Sequence, residues 1–546
     1  MLARIGSLHA APVYGVDALR RIETAAALDL PPHSLMQRAG AAVARLTQAV
    51  FPHARRIVVL AGAGNNGGDG LVAAALLQRA GRDVSILACG GDTLNDWASR
   101  LPTDAAWAWT QAQAAQVRCA VADQGDLPTA DLYLDALLGI GLRGGVRAQT
   151  IHLIHSLNAR HDAAVLSVDL PSGIDAQTGV AQEACVRANT TLSLLGLKPG
   201  LCTGPAAHLC GDLWLDDLDV HPAAEGSLPA PDATWLGADL IRPLLPDLAR
   251  AAHKGKRGDV RVIGGATGMA GAALLAARAA AHLGAGRVFV GLLDAHAPTV
   301  DQQAPELMLR SAAALLDASG DRACLLIGPG AGIDDPARAC LARTLASSNP
   351  LVLDADALNL LAMPDPSLDL QGLLRQRRAI TVLTPHPLEA ARLLGATVQA
   401  VESDRLRAAR DLAARFACWI VLKGRGTIIA SPQRDVWINA TGNGLLATAG
   451  SGDVLAGSAA ALIAATGQAS SVLAAVWLHG QAADQYAAQR GPCGLTAAQL
   501  PRWMAASWAD LAAAPESRTR SSPNPIGDGQ TPPPKTLRVD AQTDFC

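Results

Sequence analysis

The chain has 546 residues, several times a typical domain length, so a single hydrophobic core is excluded and two large domains or three smaller ones are expected. Hydrophobic residues make up 50% and charged residues 17%, and 45 basic against 48 acidic side chains leave a net charge of −3, which argues against a dedicated nucleic-acid binder and against a mostly disordered chain. The first residues lack the apolar run and small-residue cleavage site of a secretory signal. Ten cysteines without a CxxC pair read as free cytoplasmic thiols rather than a disulfide framework or a zinc site.

In chain order, two stretches of strand and helix alternation are predicted, at 1–218 and 235–514. Between them 219–234 is rich in Pro, Gly and acid and reads as a linker, and the Pro-, Ser- and Thr-rich 515–546 reads as a disordered tail. Short apolar runs ending in Gly, Asp or Pro, each followed by a helical pattern, predict an α/β fold with parallel sheets, the first Rossmann-like and three-layered. Ligands of such sheets gather at the carboxyl ends of the strands, so functional residues are sought there.

The first strand end is predicted at 57–60. AGAGNNGGDG follows at 61–70, and a helix is expected from near Leu71. Gly62, Gly64 and Gly67 fit GxGxxG, but Asp69 would repel a pyrophosphate held there. Two further strands, at 132–134 and 165–168, end on Asp135 and Asp169. With Asn66 and Ser172 these acids make an oxygen-only set, suited to a hard cation or to sugar and phosphate hydroxyls rather than to zinc.

NNGGDG, DALLGIG and VDLPSGID together resemble the epimerase domain of the NAD(P)H-hydrate repair enzymes, over about 10–218. The resemblance implies that Asn65, Asn66, Gly67, Gly68 and Asp69, with Gly139, Ile140, Gly141, Leu142, Arg143, Gly144 and Gly145, bind a hydrated nicotinamide nucleotide. It implies Asp169 as the catalytic residue facing the altered ring, and K+ held by Asn66, Asp135 and Ser172. Ile140 departs from the family's small hydroxyl residue.

In the second stretch, GSGD at 450–453 precedes a run, 454–483, without Asp, Glu, Lys or Arg, which its glycines and polar residues mark as two buried helices rather than a membrane span. The amides at the helix start predict an anion hole, and Asp453 a base for an attacking hydroxyl. KGRGT at 423–427 follows a predicted strand, 419–422. Four of the chain's five lysines, Lys198 and Lys423 among them, neighbour Gly or Pro-Gly, where a compact charge beside bare backbone is useful.

No GxxxxGK[ST] loop occurs. GSGD with KGRGT instead resembles a ribokinase-like α/β domain, and KGKRGDVRVIGGATG, GPGAG, LDADALNLL and TPHPLEAARLL narrow the likeness to the ADP- or ATP-dependent NAD(P)H-hydrate dehydratases, over about 236–514. The resemblance implies that Ala272, Gly330, Gly332, His386 and Asp453 contact the hydrated nucleotide. Lys423, Gly424, Arg425, Gly426, Thr427 and Gly452 would then hold ADP or ATP, with Mg2+ as its companion. Leu388, Arg425 and Ala449 stand where the family often has glycine or a small residue. The implied protein is a bifunctional isomerase and lyase acting on small molecules, a homo-oligomer with no nucleic-acid or membrane partner. The alternative is a small-molecule kinase of the hydroxymethylpyrimidine or thiazole type, fused to a non-catalytic nucleotide-binding domain.

Overall fold

The computed structural model describes residues 2–122, 127–141, 145–204, 207–220, 228–247, 254–318, 323–365 and 368–513. The tail expected at 515–546 lies outside them. Two sheets carry the architecture. The first orders its eight strands Leu2–Arg4, Asp212–Asp216, Thr190–Leu194, Ala164–Val168, Leu132–Ala136, Arg56–Gly62, Asp83–Cys89 and Arg118–Val121. All neighbours are parallel except the first pair. Strand Arg56–Gly62 lies between Asp83–Cys89 on one side and Leu132–Ala136 on the other, both later in the chain, so the glycine turn sits where the strand order reverses, the place at which open α/β sheets bind ligands. Ile57, Val59, Leu60, Leu132 and Leu134 are at most 1% exposed, as strands covered by helices on both faces require.

The second sheet has eleven strands. It runs parallel from Met308–Ser311 through Arg287–Leu292, Asp259–Gly264, Ala323–Ile327, Leu351–Leu353 and Thr381–Leu383 to Trp419–Leu422. Ile428–Ala430 and Val436–Asn439 then continue it antiparallel. The uncharged run forms the helices Ser451–Thr466 and Ser471–Arg490, buried along most of their length. Gly457 allows the first of them to cross helix Ala270–His282 closely, because a Cβ there would stand 1.9 Å from Ala276 O. No helix among the described residues is long and apolar enough to cross a membrane.

The sheets do not divide the chain at one point. Ala233–Leu236, at the end of the segment expected as a linker, adds to Val436–Asn439, and Ala11–Val13 from the N-terminal stretch pairs antiparallel with it. Backbone pairing at a sheet edge outweighs the local Pro and acid content that reads as linker. The junction is apolar: Leu170, Ile174, Leu201 and Cys202 share one buried cluster with Leu353, Ile420 and Leu422.

The helix after the glycine turn begins at Asn65, six residues before the position expected from its apolar pattern. Gly67, Gly68 and Gly70 are buried in its first turns and carry no side chain to reveal an amphipathic period.

Candidate active sites

The first site is a cleft of about 730 Å³ at the carboxyl edge of the first sheet. A Cβ on Gly67 would stand 1.9 Å from Gly62 O, and one on Gly62 would stand 2.0 Å from Leu137 O, so bare backbone at both positions lets the helix start against the strand end. Helix geometry leaves the N–H groups of Asn65, Asn66 and Gly67 without intrahelical acceptors, the requirement for an anion cradle. The Gly68 N–H is already used, donating to Gly64 O at 3.0 Å. Asn65, Asn66, Asp69, Gly139, Ile140, Gly141, Gly145 and Asp169 line the cleft together. Gly67 and Gly68 are buried, and Leu142, Arg143 and Gly144 lie outside the described residues.

Burial, then the charges of Asp169 and Glu23, hold Asp69 well above the ordinary carboxylate range. The neutral acid is thereby favoured, which relieves the repulsion a carboxylate would exert on a pyrophosphate. Asp169 leaves its strand with φ of 68°, a geometry uncommon for residues other than glycine and found often at functional sites. Its carboxylate accepts the Leu194 N–H at 3.1 Å and pairs with the ammonium of Lys198, which is 1% exposed. Lys198 also donates to Ser193 Oγ at 3.0 Å, Leu194 O at 2.9 Å and Gly196 O at 3.2 Å, so the lysine is locked and its charge fixes Asp169 in place. The sequence singled out Lys198 only as one of the glycine-flanked lysines. A lysine four residues past a buried strand was the signal available.

Asn66, Asp135 and Ser172 meet around Leu138. The buried Asp135 carboxylate accepts Ser167 Oγ at 2.8 Å, Ser172 Oγ at 2.6 Å and the Ser172 N–H at 2.9 Å. The Leu138 N–H donates to Ser172 Oγ at 2.9 Å, and Asn66 Nδ2 donates to Leu138 O at 2.9 Å. Asn66 Oδ1 is buried without a partner. Such an orphaned acceptor costs about 1–3 kcal/mol, which a cation beside it would offset, so the all-oxygen donor set fits a hard monovalent ion.

The second site gathers around Lys423. Asp354, at the end of strand Leu351–Leu353, accepts Thr384 Oγ1 and Lys423 Nζ, each at 2.7 Å. Glu389 Oε2 stands 3.9 Å from the same ammonium. Burial works against the Lys423 charge, but Asp354 and Glu389 outweigh it and its pKa is raised. Asp453 lies in the first turn of Ser451–Thr466. Burial and then Asp354 push it up to about 7, with Lys423 opposing. Burial also pushes Glu389 up to about 7. An ammonium flanked by carboxyls that exchange protons near neutrality is suited to acid–base chemistry on a bound anion.

Glycine shapes this site too. A Cβ on Gly452 would stand 3.5 Å from Lys423 Nζ, so the ammonium lies against the helix N-terminus and the two positive fields add at one point. Gly330 lies against helix Ala270–His282, its Cβ position 3.2 Å from that of Ala272, and the Gly332 N–H donates to Asp356 Oδ2 at 2.9 Å.

His386 is the N-cap of helix Pro387–Leu394. Its Nδ1 accepts the Leu388 and Glu389 N–H groups at 3.1 and 3.3 Å, and Glu389 Oε2 returns the bond to the His386 N–H at 2.8 Å. Burial, then Lys423, lowers its pKa, consistent with a neutral ring whose Nδ1 accepts. Leu388 is 44% exposed inside that helix, a position that needs no glycine freedom. Asp354 and Glu389 were not assigned from the sequence, although Asp354 follows its strand as Asp169 does, whereas Asp135 lies within Leu132–Ala136, one residue before its end; only the fold brings Asp354 to Lys423.

The geometry describes an α/β protein with a polar, acid-bearing cleft on one sheet and, on the other, a lysine among carboxyls at a helix N-terminus. The family described as YjeF-related protein N-terminus matches residues 32–200, and the family described as NAD(P)H-hydrate dehydratase matches 260–504. The bifunctional NAD(P)H-hydrate repair enzyme Nnr of Coxiella burnetii is 39% identical over 86% of this chain and 93% of its own, and that of Escherichia coli 36% identical over 89% and 92%. The chain belongs to the family of bifunctional NAD(P)H-hydrate repair enzymes. Among solved structures, an ADP/ATP-dependent NAD(P)H-hydrate dehydratase from Bacillus subtilis, co-crystallised with ATP/Mg2+, is 30% identical over 51% of this chain and 98% of that one, with a TM-score of 0.46.

Proposed function

We propose that the two sites divide one repair: the first interconverts the R and S hydrates of NADH and NADPH, and the second dehydrates the S hydrate with ADP or ATP. The observation that carries this reading is the Lys423–Asp354 pair beside Asp453 at a glycine-opened helix N-terminus. In the second site Asp453 takes the proton of the carbinol hydroxyl while its oxygen attacks the terminal phosphorus of the nucleotide, and the bond to the bridging oxygen breaks. Gly452 and the loop Lys423, Gly424, Arg425, Gly426 and Thr427 neutralise the phosphate charge. Phosphate then leaves with its oxygen, driven by the ring nitrogen lone pair, and loss of the neighbouring ring proton restores the reduced nicotinamide. Ala272, Gly330, Gly332 and His386 hold the nicotinamide side of the substrate. Mg2+ supplies charge neutralisation for the nucleotide when bound.

In the first site, Asp69 as neutral acid gives a proton to the departing hydroxyl, and the ring nitrogen forms an iminium beside the Asp169 carboxylate. Water re-adds from the other face and gives a proton to Asp169, which passes it on to Asp69, so the carboxylate and the neutral acid are both restored. Asn66, Asp135 and Ser172 would hold K+, which would supply fixed positive charge to this site. Potassium should raise the thermal midpoint of the wild type relative to sodium, as a ligand of the native state does, and leave Asn66→Ala unmoved. Equal shifts in both proteins would remove Asn66 from the ion's shell.

The unpaired state of the nine described cysteines supports a cytoplasmic setting. We propose a homo-oligomer, testable by light scattering. The test of the whole reading is incubation with the S hydrate of NADH and either nucleotide. Return of the reduced-nicotinamide absorbance with release of phosphate is expected; no return, with phosphorylation of a hydroxymethylpyrimidine or thiazole alcohol instead, would favour a kinase.

A further inference from the structure

Thr203 belongs to the N-terminal stretch, yet it is fully buried against the glycine loop of the second site. It follows the short helix Pro199–Cys202, and its N–H donates to Pro199 O at 3.0 Å. Its hydroxyl is shared between Gly426 O at 3.0 Å and Arg425 O at 3.2 Å and accepts Arg405 Nε at 3.2 Å. Arg405, 2% exposed, also donates to Lys423 O at 3.1 Å and Leu422 O at 3.3 Å, and pairs with Glu402 at 2.8 Å. Two donors, one from each half of the chain, therefore hold carbonyls along the loop from behind.

The loop glycines answer to this clamp. Gly426 has φ of 56°, and a Cβ on it would stand 2.2 Å from Cys202 O. A Cβ on Gly424 would stand 2.7 Å from a guanidinium nitrogen of Arg405. The far side of the clamp is closely packed: a Cβ on Gly179 would stand 2.2 Å from Thr203 O, and one on Gly200 2.2 Å from Asp175 O. A buried hydroxyl on such a backing fixes where the loop carbonyls point, and so where the loop N–H groups point.

We propose that Thr203 is a positioning residue of the dehydratase: with Arg405 it sets the shape of the Lys423 to Thr427 loop for the adenine nucleotide, so the first domain completes the second domain's nucleotide site. This rests on the reading that the loop holds ADP or ATP. Thr203→Val keeps the shape of the side chain and removes the hydroxyl; Thr203→Ser restores it. The full chain is assayed with the S hydrate, varying nucleotide and hydrate separately. Thr203→Val should raise the nucleotide KM about fivefold or more, a factor matching one hydrogen bond, with a smaller change in hydrate KM, and Thr203→Ser should return it to the wild-type value. An unchanged nucleotide KM in Thr203→Val would overturn the proposal. So would a fall in kcat with a lowered melting temperature and both KM values unmoved, which is what a merely structural residue gives. Thr427→Val serves as the control within the loop, where Thr427 Oγ1 donates to Gly424 O at 2.9 Å. If it too leaves nucleotide KM unchanged, the nucleotide reading of the loop fails; if it alone raises KM, only the role of Thr203 fails.

Discussion

Asp453→Asn should lower kcat for dehydration about a thousandfold, within the roughly 10²–10⁴ that a positioned base contributes, while epimerisation continues at the wild-type rate. The reason is electrostatic. Burial and the Asp354 charge raise the Asp453 carboxyl to about 7, so it is a stronger base than an exposed aspartate and still ionises at neutral pH. The wild-type dehydration rate should therefore fall as pH drops through about 7, to about one tenth of its plateau at pH 6, because the base is being protonated. The same shift sets a sign for stability. An acid whose folded pKa lies above its unfolded value binds its proton more tightly when folded, so its contribution is full below the unfolded pKa near 3.8 and is lost as pH rises toward 7. At pH 8 the neutral Asp453→Asn side chain should accordingly melt no lower than wild type. Lost activity with retained stability separates a base from a structural acid, and a shared fall in both would contradict the assignment.

Asp169→Asn should abolish R to S conversion and, unlike the first variant, destabilise the protein. It leaves the Lys198 ammonium buried with only neutral acceptors, and removing one partner of a buried pair costs about 3–5 kcal/mol. The double variant Asp169→Asn with Lys198→Met removes both charges. It should recover much of the melting temperature and none of the epimerisation. Recovery of activity in the double variant would mean that the pair serves folding alone and that Asp69, or another group in the cleft, carries the proton by itself.

These two acids were legible in the sequence for one reason. Asp169 ends a run of apolar strand residues, and Asp453 follows a helix-start glycine, so local pattern alone puts them at sheet edges. Their partners were not. Asp354 lies 69 residues from Lys423, and only the pairing of Leu351–Leu353 with Thr381–Leu383 and of that strand with Trp419–Leu422 brings them together. The helix start at Asn65 escaped detection because glycine carries no apolar period, and the edge strand Ala11–Val13 because three residues with a central proline do not read as a strand. His386 was placed as a substrate contact; the capping box that occupies its Nδ1 depends on Glu389 three residues on, a pattern present in the sequence but usually sought with serine or threonine at the cap. The Thr203 clamp spans more than 220 residues of separation and carries no local signal at all.

Linkage of epimerisation to nucleotide-driven dehydration in one chain is read from the reduced-nicotinamide absorbance during incubation of the R hydrate of NADH with the whole chain, with and without ADP or ATP. With nucleotide, the absorbance should return to the value for complete conversion; without nucleotide, the R and S hydrates should equilibrate with no absorbance gain. Asp169→Asn should convert only added S hydrate, and Asp453→Asn neither epimer. Full recovery from the R hydrate by Asp169→Asn at the wild-type rate, or recovery without any nucleotide, would mean that the two sites do not act in series as proposed.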